Sequence, residues 1–346
     1  AKDATDALAK APAGGAVSEE DPESKAKAEA EEKKHETIIE NLVKRSGAPR
    51  KEVVQALRKV DWHGGKALTE LERMEKSKPW QTALPHEKDV SEEVVAALEA
   101  PSYWQNQDLS TNFDARCTVK DDIQPKIEEM LNGTFVGRRT RDREGDMPKS
   151  LQLVSCERIE DAAMWRRYEV AKHYILDRRQ EGVRPICELD GDPEHGHIRT
   201  HEFLSETFAK PVDDRVNECY LWHGTSAEGA QGISEDVFKI NMAGASAGTM
   251  FGPGCYLAEC SSKSDEYAKE RTNGCRVMLI CRVVCGQMYR TTEPKMWSIR
   301  EALQSGDYDT VLGDREAERG TYREFVVYDQ DLIYPEYVVE YKRKFD

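Results

Sequence analysis

The chain has 346 residues, of which 38% are hydrophobic and 33% are charged, and its formal net charge is −15. A chain of this length can bury at least one sizeable core and is expected to form two or three domains. The acidic balance argues against direct nucleic-acid binding, which clustered Lys and Arg side chains drive, and no apolar run is long enough to suggest a membrane partner.

The cysteine content bears on the cellular compartment. Nine cysteines, an odd number scattered along the chain, favour free thiols in a reducing compartment over a disulfide framework. The first residues also lack the basic start and apolar stretch of a signal peptide. We therefore expect an intracellular protein, cytoplasmic or nuclear. Because the sequence begins at Ala1 and not at Met, we expect a fragment or a processed product.

The N-terminal 77 residues contain two segments of different composition. Residues 1–34 are mostly Ala, Glu, Lys, Asp and Gly and are predicted to be a disordered acidic tail, because they have little apolar surface to offset the entropy of ordering. Over residues 35–77, apolar side chains recur at helical spacing in three stretches, which begin at Ile38, Val53 and Ala67. This spacing predicts a compact three-helix bundle.

The three-helix segment resembles a ubiquitin-associated (UBA) bundle through Ile39-Glu-Asn-Leu-Val, Val54-Gln-Ala-Leu-Arg and Lys66-Ala-Leu-Thr-Glu-Leu. Ubiquitin-binding members of that family usually carry a Met-Gly-Phe-type loop after the first helix. Here the loop is Ser46-Gly47-Ala48, closer to the UBA-like module of elongation factor Ts. Two interpretations stay open for residues 35–77: recognition of ubiquitin, and a bundle that is structural or contacts another protein.

The remaining chain is predicted to be a linker at 78–119, anchored by Trp80, Tyr103 and Trp104, followed by a mixed α and β domain at 120–346. The basic run Val136–Arg143 is predicted to be a solvated surface loop, because acidic residues are interleaved with it. Periodicity in the last domain predicts helices at 123–131 and 162–176, and strands at 150–155, 219–222, 275–284, 325–328 and 337–341.

Three motifs in the last domain carry candidate chemistry: Tyr220-Leu-Trp-His-Gly-Thr225, then Met250-Phe-Gly-Pro-Gly-Cys-Tyr-Leu-Ala-Glu259 with Ser262-Lys-Ser-Asp-Glu-Tyr-Ala268, and Tyr322-Arg-Glu-Phe-Val-Val-Tyr-Asp329. Taken alone, a His after a strand, a Tyr or a Glu more often has an ordinary structural role. The three motifs together favour a functional site.

Together the motifs resemble the catalytic domain of the poly(ADP-ribose) polymerase family of ADP-ribosyltransferases, over roughly residues 120–346. The resemblance implies an α+β fold of two packed, mostly antiparallel sheets with flanking helices, beside the small all-α UBA-like bundle. It also implies that NAD+ is consumed as substrate. The nicotinamide–ribose bond would be cleaved, and ADP-ribose would be transferred to acceptor proteins as a single unit or as a chain.

The resemblance also implies the site residues. His223, Tyr256 and Glu324 would be catalytic, with Glu324 acting on the ribose. In the NAD-binding set, His223 would bind the ribose hydroxyls. The Gly224 backbone and the Ser264 hydroxyl would bind the carboxamide, and Tyr256 and Tyr267 would face the nicotinamide ring. Thr225 belongs to the same set and stands where the family often has Ser. Lys239 stands where some members have Arg near the adenosine end, and the loop Asn241–Met250 is expected to cover that half.

Other interpretations are weaker. No strand-turn-helix Gly-x-Gly-x-x-Gly fingerprint is present, which disfavours hydride transfer by a doubly wound domain. No metal is expected, because the spacing of Cys187, His195, His197 and His201 matches no common zinc site. The alternative from another class is a catalytically silent reader of ADP-ribose or ubiquitin. Loops such as Gln287–Tyr322 are expected to determine the acceptor.

Overall fold

The computed structural model describes residues 22–76, 84, 90–119, 121–189, 197–205, 209, 211–236, 238–240 and 250–345. The chain divides into two compact units, one ending at Leu71 and the other beginning at Glu72. Most of the predicted tail, Trp80, His195 and most of the loop Asn241–Met250 lie outside the described residues.

The first unit is helical. Helix α1 spans Pro22–Ser46, α2 spans Arg50–Lys59, and α3 begins in this unit at Gly64 and ends at Lys76. The three expected helices are therefore confirmed, whereas the resemblance to UBA modules stays a prediction. Their buried apolar side chains are Ile39, Leu42, Ala48, Val53, Ala56, Leu57, Ala67 and Leu71.

Helix α1 begins earlier than the sequence predicts. We expected disorder up to Lys34, yet residues 22–34 belong to the helix. Ala, Glu and Lys dominate this stretch and are good helix formers, and extending an existing helix avoids the cost of nucleating a new one. The packed part of α1, with Ile39 and Leu42 buried, supplies that nucleus.

The second unit is an α+β domain, as predicted. Its elements in chain order are α4 (Glu92–Ala96), β1 (Asp114–Thr118), α5 (Gln124–Gly133), β2 (Ser150–Asp161), α6 (Ala162–Arg178), α7 (Ile186–Leu189), β3 (Glu218–Gly224), α8 (Ala227–Asp236), β4 (Cys255–Leu257), α9 (Ser261–Asp265), β5 (Arg276–Val284), β6 (Met288–Thr291), α10 (Met296–Gln304), β7 (Thr310–Asp314), α11 (Arg315–Arg319), β8 (Arg323–Val327) and β9 (Ile333–Lys344).

The strands form two sheets. The five-stranded sheet has the order β1-β2-β9-β5-β3 and is antiparallel throughout, and the four-stranded sheet has the order β4-β8-β7-β6, with only β6 and β7 parallel. An isolated bridge between Trp222 and Ala258 connects the end of β3 to the residue after β4. This bridge brings the edges of the two sheets together.

Strand β5 lies inside the larger sheet and is buried along nearly its whole length, which explains its continuous run of Val, Ile, Leu and Cys. The charged residue in that run, Arg282, is fully buried and ion-paired to Glu218 at 3.1 Å, and its guanidinium lies 5.0 Å from the ring centroid of Tyr220. A buried charge is tolerated only when it is paired and hydrogen-bonded, and these contacts meet that requirement.

The predicted linker contributes to the second unit. Leu84, Trp104 and Leu109 are buried in its main core, and β1 pairs with β2 as the outermost strand of the larger sheet. The Trp104 ring packs edge-on to Trp165 at 5.3 Å between centroids. Of the predicted aromatic anchors, Tyr103 and Trp104 therefore pack against this core, whereas Trp80 lies outside the described residues. The predicted start of the last domain at residue 120, however, is too late, because it excludes the edge strand β1.

Two predicted loops are corrected by the structure. The segment Gln287–Tyr322 contains β6, α10, β7 and α11. The basic run Val136–Arg143, called the Arg-rich loop below, is not simply solvated, because the Arg143 side chain is fully buried and bonds Asp265 at 2.7 Å. Acidic residues interleaved in the sequence had suggested a surface loop, but the partner of Arg143 is distant in the chain.

We predict that Arg143→Ala lowers the free energy of unfolding by about 3 kcal/mol, because it leaves the fully buried Asp265 carboxylate with less compensation. Urea denaturation followed by tryptophan fluorescence measures this. The matched control is Arg141→Ala in the same loop, since the Arg141 side chain is 91% exposed and should contribute little. Equal urea midpoints for the two variants would show that the buried Arg143–Asp265 pair does not stabilise the fold.

Candidate functional site

The three residues expected to be catalytic lie on three different strands. His223 precedes the last residue of β3, Tyr256 is the middle residue of β4, and Glu324 is the second residue of β8. Tyr256 is opposite Val326 in the β4–β8 pair, and the Trp222–Ala258 bridge connects β4 to β3. The three strand ends therefore meet at one place.

His223 is fixed by its neighbours. Its Nδ1 is 3.0 Å from the carbonyl oxygen of Tyr256, and its ring packs edge-on to Phe238 at 5.0 Å between centroids. Because a carbonyl only accepts, Nδ1 carries the proton in this bond. Burial lowers the pKa of His223, and the bond to Tyr256 opposes that effect only in part. The neutral ring therefore presents Nε2 as a hydrogen-bond acceptor.

Gly224 lies where the backbone of β3 approaches α9. A Cβ at this position would be 1.8 Å from the carbonyl oxygen of Ser264, so only glycine fits. The Ser264 hydroxyl donates to the carbonyl of Trp222 at 2.9 Å, which joins the same two elements. Its proton is thus already engaged, and its lone pairs remain as acceptors.

The backbone of Gly224 faces an open edge. β3 is the edge strand of its sheet, and both backbone groups of Trp222 point away from β5 to bond Ala258. Backbone groups two residues apart in a strand point the same way. The N–H and C=O of Gly224 therefore also point outward, and they have no hydrogen-bond partner among the described residues. Together they form a donor and an acceptor for a planar amide.

Tyr256 is held through its hydroxyl. The Phe251 backbone N–H donates to it at 2.8 Å, and it donates to the Gly252 carbonyl at 2.9 Å. Both partners belong to the glycine-rich segment that precedes β4. The half-buried ring therefore has one orientation set by the backbone.

Glu324 forms an ion pair that the sequence analysis missed. Its Oε1 is 3.2 Å from Nζ of Lys263, and the exposed fractions of the two side chains are only 13% and 8%. Burial raises the pKa of the Glu324 carboxyl above its ordinary value, and Lys263 offsets only part of the rise. Burial would lower the pKa of Lys263, but Glu324 and other neighbours outweigh it and raise the pKa, so the side chain stays an ammonium.

Lys263 also organises Tyr267. It donates to the Tyr267 hydroxyl at 2.9 Å, and its Nζ lies 4.8 Å from the centroid of that ring. The pKa of Tyr267 is raised to about 12, chiefly by burial, so the phenol is neutral. One signal in the sequence could have revealed Lys263: it lies directly before Ser264 and one helical turn before Tyr267, within the motif already singled out.

The remaining candidates lie toward the periphery. Thr225 follows β3 and packs against α8, where a Cβ at Gly229 would be 2.3 Å from its hydroxyl oxygen. Lys239 is more than half exposed and pairs with Asp236 at 3.0 Å. Within the described part of the chain, no group of three or more His, Cys, Asp or Glu side chains could hold a metal ion. No described helix is long and apolar enough to cross a membrane.

The fold and the candidate site define an α+β domain in which the ends of β3, β4 and β8 meet. A family model for the poly(ADP-ribose) polymerase catalytic domain matches residues 138–320, more than half of the 346 residues. The chain therefore belongs to this family. The match includes His223, Tyr256 and Lys263 but ends before Glu324, whose place rests on the geometry of β8.

Three relatives illustrate the family. A probable poly(ADP-ribose) polymerase of Dictyostelium discoideum is 24% identical over 57% of this chain and 47% of its own length. The protein mono-ADP-ribosyltransferase PARP12 of Homo sapiens is 25% identical over 70% of this chain and 28% of its own. The probable inactive poly(ADP-ribose) polymerase SRO1 of Arabidopsis thaliana is 31% identical over 27% and 16%. The chain thus spans less than half the length of these relatives.

We predict that Gly224→Ala destabilises the second unit by about 3 kcal/mol, because the new methyl group would overlap the Ser264 carbonyl and force β3 and α9 apart. Thermal denaturation measures the loss. Gly232→Ala, in the interior of α8 with nothing within 4 Å of the added Cβ, is the control and should be neutral or stabilising by about 0.5 kcal/mol. A Gly224→Ala protein as stable as the control would contradict the close approach.

Proposed function

We propose that this chain is an ADP-ribosyltransferase that cleaves NAD+ at the nicotinamide–ribose bond and transfers ADP-ribose to protein side chains. The observation that carries the proposal is the Glu324 carboxylate, held beside Lys263 at 3.2 Å in a nearly buried position on the strand next to Tyr256. Family membership and the names of the relatives support the same activity.

The nicotinamide half of NAD+ would bind at Gly224. The outward N–H would donate to the carboxamide oxygen and the outward C=O would accept from its NH2 group, with Ser264 as a further acceptor. Tyr256 and Tyr267 would face the ring, an arrangement that favours a cationic aromatic group. His223 would use Nε2 to accept from a ribose hydroxyl.

The reaction breaks the bond between ribose C1′ and the nicotinamide nitrogen, and nicotinamide leaves as a neutral ring with the bonding electrons. Positive charge develops on the ribose, as in glycoside cleavage. The Glu324 carboxylate would stabilise this charge through the 2′-hydroxyl. An acceptor oxygen then forms the new bond to C1′, and the proton of an acceptor hydroxyl would pass to Glu324.

Lys263 would keep Glu324 ionised. Without an ammonium nearby, burial would push the carboxyl further toward the protonated form, which cannot stabilise positive charge. The ion pair also fixes the direction of the carboxylate from one side. We therefore add Lys263 to the residues that the family resemblance implies.

We predict that Glu324→Gln lowers kcat by about 10²- to 10³-fold, because the amide has nearly the same shape but no charge. Nicotinamide release and transfer of labelled ADP-ribose measure the change. Glu129→Gln on the exposed face of α5 is the matched control and should be fully active. A Glu324→Gln enzyme with unchanged kcat would remove Glu324 from the mechanism.

The pH dependence has a definite sign. Glu324 must be ionised, so kcat/KM falls as pH drops through its pKa, which burial places above the ordinary value of about 4.3. Lys263→Met removes the charge that lowers this pKa, so we expect the acidic limb to move up by about one pH unit. Lys149→Met, at an exposed position, should leave the limb in place. An acidic limb of kcat/KM that moves to lower pH in Lys263→Met would contradict the role of the ion pair.

A silent reader of ADP-ribose is the competing function. Calorimetric titration with benzamide, which carries the carboxamide of nicotinamide, separates the outcomes. Benzamide binding together with turnover of NAD+ supports the enzyme, and benzamide binding without turnover supports the reader. A protein that does not bind benzamide would contradict both functions, because both need the nicotinamide pocket. His223, Tyr256 and Glu324 are all present, which favours the enzyme.

The helical first unit carries a proposal of its own. Residues 35–77 are proposed to contact a protein, and ubiquitin is one candidate partner. Ala48 of their first loop is turned into the helical core, and its N–H bonds the Ser46 hydroxyl at 3.1 Å. Glu324 permits chain extension but does not decide between one ADP-ribose unit and several. An intracellular location, cytoplasmic or nuclear, is consistent with the nine free cysteines.

A further inference from the structure

The Arg-rich loop places another carboxylate at the candidate site. Asp142 Oδ2 is 3.0 Å from the Tyr267 hydroxyl and 3.4 Å from Nζ of Lys263. Lys263 is thus shared among Asp142, Glu324 and Glu266, whose Oε2 lies 3.1 Å from the same ammonium. The family resemblance did not point to Asp142, and the sequence placed it in a solvated loop.

The position of Asp142 is set from both sides along the chain. Thr140 donates its hydroxyl proton to Glu266 at 2.7 Å, and Arg143 pairs with the buried Asp265 at 2.7 Å. Both partners lie at the C-terminal end of α9. The loop is therefore fastened to the segment that carries Lys263, and Asp142 lies between the two fastening points.

The proton arrangement around Asp142 follows from the chemistry of the groups. A carboxylate accepts only, and the Tyr267 hydroxyl has a single proton, so that proton goes to Asp142. The lone pairs of the hydroxyl are then free to accept from Lys263 at 2.9 Å. Lys263 and Tyr267 bond to Asp142 and to each other, which closes a ring of three charge-assisted contacts.

We propose that Asp142 is a positioning residue that orients the Tyr267 ring toward nicotinamide and shares the Lys263 ammonium with Glu324 and Glu266. The inference rests on the proposed NAD+ site. Asp142 acts through Tyr267 and Lys263 and touches neither the reacting atoms nor, in this arrangement, the ring of the substrate. The Tyr267 ring is one half of the expected nicotinamide contact, so its freedom to rotate affects binding directly.

The charge of Asp142 also reaches Glu324. The titratable groups that face Glu324 are Lys263 and Glu266 from α9 and its end, Asp142 from the Arg-rich loop, and the phenols of Tyr256 and Tyr267. Asp142 and Glu266 both act to raise the pKa of Glu324. Removing the Asp142 charge therefore removes one repulsion that raises the pKa of Glu324. It also leaves Lys263 to pair more closely with Glu324. Both effects lower the pKa of Glu324 and favour its ionised form.

The experiment compares Asp142→Ala and Asp142→Asn with Glu144→Gln, an exposed carboxylate directly after the Arg-rich loop. Binding of benzamide by calorimetry is measured first, because it does not depend on turnover. Nicotinamide release then gives KM and kcat for NAD+ as a function of pH. The double variant with Tyr267→Phe completes a cycle that tests whether Asp142 acts through the Tyr267 hydroxyl.

We expect Asp142→Ala to weaken benzamide binding and to raise the KM for NAD+ by about three- to tenfold. The expected effect is modest because the Asp142 side chain is 41% exposed and solvent screens its contacts. Its effect should largely vanish in the Tyr267→Phe background. Asp142→Asn, which keeps an acceptor but no charge, should recover most of the binding. In both Asp142 variants the acidic limb of kcat/KM should move to lower pH, whereas Glu144→Gln should match the parent.

A parent protein that binds benzamide and turns over NAD+, with Asp142→Ala equal to Glu144→Gln in binding, KM and acidic limb, would overturn the role of Asp142 alone. Additive effects of Asp142→Ala and Tyr267→Phe would overturn it as well. A parent protein that neither binds benzamide nor releases nicotinamide would instead overturn the proposed function. The two failures are therefore distinguishable.

Discussion

The close approach of β3 to α9 at Gly224 is the constraint on which the candidate site depends. Because the position has no side chain, the Ser264 carbonyl can lie against the backbone of β3, and the Ser264 hydroxyl can bond Trp222 at 2.9 Å. The same contact sets the place of Lys263, the residue before Ser264. The open amide edge and the ion pair of Glu324 are therefore two results of one packing arrangement.

Much of the fold follows from local sequence patterns. The apolar run of β5 predicts a strand covered on both faces. Helix α6 begins directly after Asp161, whose side chain caps it by accepting from the Met164 N–H at 2.7 Å. The strands predicted at 219–222 and 325–328 are present as β3 and β8, on which His223 and Glu324 lie. Patterns of this kind are readable because strand and helix periods depend on neighbours in the chain.

What the sequence could not show depends on contacts between distant residues. Asp142 and Lys263 are 121 positions apart, and nothing in the local composition of the Arg-rich loop reveals that Arg143 is buried against α9. The edge strand β1, Asp-Ala-Arg-Cys-Thr, has few apolar residues and is ordered by its pairing with β2. Short strands such as β6 have the same problem, since their order comes from the sheet and not from their own pattern.

The outer edge of β3 also affects how the protein behaves toward other chains. The Glu218 N–H bonds the Asp213 carbonyl at 3.1 Å, the Tyr220 carbonyl accepts from Thr200 at 2.5 Å, and Trp222 is bridged to Ala258. Exposed edge strands ordinarily risk recruiting a strand from a second molecule. Among the described residues, these contacts leave Gly224 as the one outward-facing residue of the edge with neither backbone group bonded. An opening of this length is too short to nucleate a foreign strand, so the domain can keep an exposed backbone amide without becoming prone to aggregation.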